Sequence, residues 1–467
     1  MKILFAASEC FPFVVTGGLG DVIGALPKAL KKLSAKNDIR VVLPLYSDIS
    51  QEIKDQMCFV KSINVNLSWR NQYCGIYFIE IDGIKYYLID NEFYFKRKGI
   101  YGHFDDAERF AFFCKSVFEI LPHIEFVPDV IHSHDWHTAL VPIYASLKYK
   151  KMPEYEKVKT IFTIHNIQYQ GVFGKEILND ILDIDYNDIN AVEYDGAINL
   201  MKGAIELADA VNTVSQTYAE EIKTPYYAHG LENIINARSF KISGILNGID
   251  IERYNPRTDK NIVKHYTAKN PEGKKVNKEA IQTEFDLPVD PSVPVIGIIT
   301  RLVEHKGIDL VACILKKLLE EKVQVVVLGK GDRQYEDFFS SLAAQFPDKL
   351  SVKIMYDTAL ASRIYAGADM ILMPSKSEPC GLVQMVACRY GTLPIVRATG
   401  GLKDSINDGE NGFVFYDYNA HLMLDTIIRA ISAFNNEEEW KTLVANAMTA
   451  DFTWKASAKK YFELYKN

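Results

Sequence analysis

Short unbroken apolar runs alternate along the chain with stretches whose apolar positions recur every three or four residues. In the first half the runs are Lys2–Ala7, Ile39–Leu43, Lys85–Ile89, Val130–Ser133, Thr160–Ile164, Ala210–Val214 and Ile242–Leu246. In the second half they are Val295–Thr300, Gln324–Leu328, Val352–Met355, Met370–Met373 and Leu393–Val396. Runs this short and this apolar read as strands buried on both faces, the signature of parallel sheets. Between them the period is helical. Val22, Leu26, Ala29 and Leu33 share one face, with Pro27 expected to kink the helix, and Ile308–Leu319 is also amphipathic. The alternation predicts an α/β fold with parallel sheets.

The pattern thins over Ile251–Pro294, which is rich in Lys, Asn, Glu and Pro. That segment reads as a domain boundary followed by a surface excursion, with a helix near Lys278–Phe285. The predicted organisation is a first domain over 1–247, a second over 248–450 and a terminal segment over 451–467. The terminal segment carries a helix near Ala456–Tyr465, with Trp454, Tyr461, Phe462 and Tyr465 able to pack on either domain.

Polar and glycine residues gather just after the strands: Ser8-Glu9, His134-Asp135, His165-Asn166, Asn247-Gly248, Arg301, Gly329–Gly331, Ser375–Glu378 and Thr399-Gly400. Open α/β sheets bind ligands beyond the carboxyl ends of their strands. Both halves are therefore expected to aim their chemistry at one crevice.

Size and charge narrow the classes. A chain of 467 residues, 48% hydrophobic, can fill two or three domains. No apolar stretch reaches the ~18 residues of a membrane span, so no membrane partner is expected. Met1–Ala6 runs straight into a strand, unlike a signal peptide. Seven cysteines without a C-x-x-C pair read as reduced thiols of a cytoplasmic protein. A net charge of −7 argues against nucleic acid as a partner. It leaves phosphate binding open, since a cleft needs only local positive charge.

Thr-Gly-Gly-Leu occurs twice, at Thr16–Leu19 and Thr399–Leu402, each time between an apolar run and a predicted helix. A glycine turn opening a helix can present bare N–H groups to an anion. Thr16–Asp21 lacks the Lys-Ser/Thr of a P-loop and is not G-x-G-x-x-G. Arg301 and Lys306 follow a buried strand and offer two cations for a leaving diphosphate. Glu378 can grip sugar hydroxyls or cap a helix, while Cys380 reads as a packed residue. His132, His134 and His137 approach a metallo-hydrolase pattern. If the strand runs through His134, His132 and His134 share a face and could chelate; sugar contacts are the alternative. His165 is a loop histidine or a substrate contact. Asp183 and Asp185 match a D-x-D that dense acids make uninformative.

Together these motifs resemble the starch/glycogen synthase family nearly end to end. The matching segments are T-G-G-L-G-D-V at 16–22, H-S-H-D-W-H at 132–137, F-T-I-H-N-I-Q-Y-Q-G at 162–171 and I-L-N-G-I-D at 245–250. They continue with R-L-V-E-H-K-G at 301–307, Y-A-G-A-D at 365–369, P-S-K-S-E-P-C-G-L at 374–382 and G-T-L-P-I-V-R-A-T-G-G-L at 391–402. The resemblance implies a GT-B fold of two Rossmann-like domains facing a cleft, with the last helix crossing back to the first domain. It implies glucose transfer from ADP-glucose to the 4-hydroxyl of an α-1,4-glucan with retention, and neither a metal nor another cofactor. By similarity, Arg301 and Lys306 bind diphosphate, Glu378 and His165 contact the glucose, and Asp135 and Asn247 lie near the reacting sugar. Tyr356 stacks on the base. Gly17, Gly18, Asp21, Cys380, Gly381, Leu382, Thr399, Gly400 and Gly401 complete the donor site, the last three through backbone amides. Retention through double displacement would need a carboxylate nucleophile. The resemblance implies instead a front-face route in which the departing phosphate oxygen takes the acceptor proton.

One departure stands out: the family turn begins Lys-Thr-Gly-Gly, and here Val15 holds the first position. Alternatives are therefore a UDP-sugar donor or another acceptor on the same fold, or a catalytically impaired glucan-binding homologue. A hydrolase built on the His132–His137 cluster is a fourth reading.

Overall fold

The computed structural model describes residues 1–466, which form two compact units. Unit 1 comprises Met1–Gly248 together with the terminal segment from Trp454, and unit 2 comprises Ile249–Thr453.

Unit 1 is built on a nine-stranded sheet. Its strands are β1 (Lys2–Ala6), β2 (Asp38–Pro44), β3 (Cys58–Leu67), β4 (Arg70–Ile81), β5 (Ile84–Asp90), β6 (Val130–His134) and β7 (Lys159–Ile164). A small separate sheet holds β8 (Val172–Phe173), β9 (Glu193–Tyr194) and β10 (Ala197–Asn199), and β11 (Ala210–Thr213) and β12 (Ile242–Gly244) rejoin the large one. The order is β12-β11-β7-β6-β1-β2-β5-β4-β3, parallel from β12 to β5. The hairpin β3–β4 adds an antiparallel edge that the hydrophobic pattern did not predict. Most of β3 is exposed and its residues alternate with polar ones, so no apolar run marks it. The helix Gly18–Leu33 runs on through Pro27, with Val22, Ile23, Leu26, Pro27 and Leu30 all buried. The helix Trp454–Lys466 packs on it, and Tyr461 and Tyr465 enter the unit 1 core.

Unit 2 carries six parallel strands: β13 (Val295–Ile299), β14 (Gln324–Leu328), β15 (Leu350–Lys353), β16 (Met370–Met373), β17 (Leu393–Arg397) and β18 (Phe413–Phe415). Their order, β15-β14-β13-β16-β17-β18, is that of a Rossmann sheet. β15 lies two residues earlier than Val352–Met355, because Leu350 supplies its buried anchor.

The stretch before β13 is a surface excursion only in part. Its helix, Gly273–Glu284, packs on the helix Thr358–Gly367, and Ile281, Phe285 and Leu287 complete a core cluster under β13 and β14. Several of the helix's polar residues, among them Asn277, Lys278 and Gln282, are buried as hydrogen-bonding groups. Lys278 pairs with Asp369 at 2.7 Å, and the Lys274 ammonium donates to the carbonyls of Tyr365, Ala366 and Tyr390. Composition hid the packing because these lysines are satisfied inside the unit rather than by water.

Candidate active site

In unit 1 the strand order reverses at β1, which sits between β2 and β6. Loops leaving the carboxyl ends of strands at such a switch flank a ligand crevice. The loop after β1 carries buried Glu9. Its Oε2 accepts from the backbone N–H of Thr16 at 2.5 Å and of Gly17 at 3.2 Å, and the Tyr101 hydroxyl donates to Oε1 at 3.1 Å. Burial pushes the Glu9 carboxyl above its ordinary value, and these hydrogen bonds offset part of the shift. The amides of the first Thr-Gly-Gly-Leu turn thus already hold the chain's own carboxyl group. Gly17 and Gly18 themselves stand in open space. Val15 is 42% exposed and lies over Gly20, and Asp21 is half-buried in the first helical turn.

The loop after β6 begins at Asp135, whose φ of 55° and ψ of 177° are costly for a residue with a Cβ. Its Oδ1 accepts from the N–H groups of His165 at 2.7 Å and Asn166 at 3.3 Å, tying this loop to the one after β7. Burial pushes the Asp135 carboxyl up to about 7 despite those bonds. Burial also lowers His165 to about 3, so its ring is neutral near pH 7. Asn247, beyond β12, is buried with an Oδ1 that meets no partner among the described residues.

β6 does run through His134, and the rings of His132 and His134 lie 4.1 Å apart. They form no chelate. Both His132 nitrogens are taken, Nδ1 by the Tyr465 hydroxyl at 2.8 Å and Nε2 by Thr163 Oγ1 at 2.6 Å. His137 stacks on Tyr101 with centroids 4.2 Å apart. Asp183 is occupied by Lys115 and Lys148, and Asp185 caps a turn at Asn187. No group of three or more His, Cys, Asp or Glu among the described residues could hold a metal ion.

In unit 2 the order reverses at β13, between β14 and β16. The loop after β13 carries Arg301 and the turn Glu304–Lys306. The loop after β16 carries Ser375 and Glu378. Lys306 Nζ donates to Glu378 Oε2 at 2.7 Å, and Ser375 Oγ donates to the same oxygen at 2.9 Å. Gly307 makes the approach possible. Its φ is +76°, and a Cβ there would stand 2.1 Å from the Pro374 carbonyl oxygen. Arg397, ending β17, clamps the loop from below by donating to the carbonyls of Ser375 at 2.8 Å and Lys376 at 2.6 Å. Arg301 is exposed, with Nη2 3.4 Å from His305 Nε2. Burial and the two neighbouring cations, Lys306 and Arg301, lower the pKa of His305.

The second Thr-Gly-Gly-Leu does not offer Gly401 to a phosphate. The Gly401 N–H donates to the carbonyls of Glu378 at 3.1 Å and Pro379 at 3.2 Å. Thr399, Gly400 and Gly401 are buried. Here the glycines serve close backbone packing, which in turn fixes the Glu378 loop. Buried Cys380 and the half-buried Gly381 and Leu382 lead from that loop into the helix Val383–Arg389, with Gln384 Nε2 donating to the Cys380 and Gly381 carbonyls. Tyr356 is 89% exposed, just before the helix Thr358–Gly367.

Residues 2–237 match the family described as starch synthase catalytic domain, and residues 280–446 match glycosyl transferases group 1. A glycogen synthase of Bacillus cereus (strain B4264) is 50% identical over 100% of this chain and 99% of its own length. The chain belongs to the starch/glycogen synthase family. A family member of Alkaliphilus metalliredigens, also a glycogen synthase, is 48% identical over the full length of both proteins. Among solved structures, the catalytic domain of starch synthase IV from Arabidopsis thaliana, bound to ADP and acarbose, superposes with a TM-score of 0.91 at 34% identity, covering 100% of this chain and 98% of that one. A sucrose-phosphate synthase from Thermosynechococcus elongatus shares the fold at 16% identity and a TM-score of 0.62. Starch/glycogen synthase membership makes the chain a glucosyltransferase of GT-B architecture.

Reading the sequence alone singled out Glu9 only as a polar residue after a strand and gave it no role. The signal was present: an acid seven residues before a glycine turn that opens a helix. For His134 the sequence leaves a metal ligand or a sugar contact open, and neither reading names its partner, His165.

Proposed function

We propose that the chain extends α-1,4-glucan by moving glucose from ADP-glucose to a non-reducing 4-hydroxyl with retention of configuration. The observation that carries this reading is the set beyond the β13/β16 switch: Lys306 held on Glu378, with Arg301 in the same loop as Lys306. Arg301 and Lys306 neutralise the departing diphosphate, and Glu378, braced by Ser375, meets sugar hydroxyls. Within unit 1, the groups suited to contact a sugar are Asp135, His165 and Asn247. Full-length identity to proteins called glycogen synthase and the ADP in the Arabidopsis structure support the donor. ADP is a good leaving group, so stabilising its charge can stand in for a strong acid. The loss of one such cation is expected to lower kcat ~10²–10³-fold, about 2.7–4 kcal/mol. The proton of the attacking hydroxyl passes to the leaving phosphate oxygen. No protein nucleophile is required.

The seven unpaired cysteines support a cytoplasmic setting. No helix among the described residues is long and apolar enough to cross a membrane. Val15 favours a second reading, in which the donor is a UDP-sugar or turnover is lost while glucan binding persists. The test is a panel of ADP-glucose and UDP-glucose with glycogen as acceptor, reading chain extension. Extension with ADP-glucose is expected. Extension with UDP-glucose alone, or glycogen binding without extension by either donor, would establish the second reading instead.

A further inference from the structure

The hydrogen bonds around β6 fix where the protons sit on three histidines. The chain of bonds starts at the terminal helix. Thr163 Oγ1 donates to Asn212 Oδ1 at 2.7 Å, and Asn212 Nδ2 donates in turn to the Tyr461 hydroxyl at 3.1 Å. With its proton committed, Thr163 Oγ1 can only accept from His132. His132 therefore carries its proton on Nε2, and its Nδ1 accepts from the Tyr465 hydroxyl.

His134 comes next. Its Nδ1 lies 3.1 Å from His165 Nε2, and its own Nε2 is buried without a partner. Both rings are neutral, because burial lowers the imidazolium pKa of each. One nitrogen of the pair must then donate and the other accept. Were His165 the donor, His134 would carry its proton on Nε2 and leave an N–H orphaned in the core. A buried unpaired donor is far less tolerable than a bare ring nitrogen. The proton of the pair belongs to His134 Nδ1, which makes His165 Nε2 the acceptor. The single proton of His165 is left on Nδ1. No protein group among the described residues binds that atom, and the residue is half-buried.

We propose that His134 is a positioning residue that fixes His165 as its Nδ1–H tautomer, so that His165 meets the transferred sugar as a hydrogen-bond donor. Asp135 complements it by holding the His165 backbone N–H at 2.7 Å, so the ring and the main chain are fixed from two sides. A ring held this way gives its proton to a hydroxyl oxygen and does not accept one. The functional half of this inference rests on the reading of His165 as a sugar contact; the tautomer itself does not.

Nitrogen-15 spectroscopy of the ten histidine rings tests the tautomer in the unliganded wild-type protein. The expected result is a neutral His165 with Nδ1 protonated and Nε2 bare. A His165 protonated on Nε2 overturns the proposal. His134→Phe keeps a planar ring but removes the donor. It is expected to mix the His165 tautomers and lower kcat ~10–100-fold with little change in donor KM. His134→Asn, whose amide nitrogen can replace Nδ1–H, is expected to restore most of the rate. Equal rates in His134→Phe and wild type, with an unchanged His165 tautomer, would also overturn it. Full activity in His165→Ala would instead refute the sugar-contact reading and leave the tautomer assignment to the spectrum.

Discussion

At Thr16–Leu19 the two glycines face open space, and the N–H groups of Thr16 and Gly17 hold the buried carboxylate of Glu9. At Thr399–Leu402 the same tetrapeptide is packed under the Glu378–Cys380 backbone, and its Gly401 N–H donates to that backbone. A Cβ on Gly400 would lie 2.0 Å from the Glu378 carbonyl oxygen, and one on Gly401 would lie 2.1 Å from that of Cys380. One turn is pinned by a side chain and left accessible. The other is itself the support on which the Glu378 loop rests. A repeated motif marks two similar pieces of backbone geometry, and what packs against each decides its use.

The largest expected effect would break that contrast outright. Gly400→Ala meets both the close carbonyl and a φ of +43°, and should cost about 3 kcal/mol or more. Gly18→Ala meets nothing within 4 Å and should stay within about 0.5 kcal/mol. Thermal unfolding of the two variants decides. Equal losses would mean that the two turns do the same structural work.

The carboxylates near the turns differ in the same way. Glu378 has a cation, Lys306, on one oxygen. Glu9 and Asp135 are held by backbone amides, and burial raises the pKa of both. Glu378→Gln leaves the Lys306 ammonium without its countercharge in a largely buried place. It should cost about 2–3 kcal/mol of stability besides the loss of activity. Asp135→Asn should do the reverse above neutral pH. The carboxyl titrates near 3.8 when unfolded and near 7 when folded, so folding binds a proton between those values. Its contribution to stability is complete below about 3.8 and is lost as pH rises through 7. The Asn variant does not titrate. Its stability relative to wild type should therefore climb by about 2 kcal/mol between pH 4 and 8, half the full linkage for three pK units because the residue is half-buried. Urea unfolding at both pH values measures the climb. A constant difference between the two proteins would show that Asp135 keeps an ordinary carboxyl.

How legible these features were depended on whether they left an apolar imprint. The central strands β1, β6, β13 and β16 are buried on both faces and stand out as runs such as Ile3–Ala6 and Met370–Met373. Strand β3 is mostly exposed and is lost in polar alternation, whereas its partner β4 does carry an apolar run, Ile76–Ile79. Lys274, Asn277 and Lys278 looked like surface and are interior, because carbonyls and Asp369 replace the water they would otherwise need. Of the site, the order of motifs around Arg301, Lys306 and Glu378 was readable. The Lys306–Glu378 pair was not, since it depends on Gly307 letting two loops 72 residues apart touch. The partners of Glu9 and His134 are hidden for a related reason: only the folded chain brings Tyr101 to Glu9 and His165 to His134.

The smallest effect on stability is expected at Val15, where the resemblance implies a Lys. Val15 lies over Gly20 at the mouth of the accessible turn and is 42% exposed. Val15→Lys keeps a stem that can cover Gly20 and adds an ammonium that can stay in water, so it should change stability by less than about 0.5 kcal/mol. Its effect belongs to the donor. An added cation beside an accessible turn favours a diphosphate electrostatically, and the expected outcome is a lower KM for ADP-glucose with kcat changed less than tenfold, ~1.4 kcal/mol. Steady-state kinetics at low and at 0.5 M salt separates charge from packing, because an exposed cation is screened within about 4–5 Å at the higher ionic strength. An improvement that persists at high salt would mean that the Val15 side chain itself had been obstructing the turn. No improvement at either salt would mean that the first Thr-Gly-Gly-Leu turn, unlike the loop supported by the second, does not meet the donor.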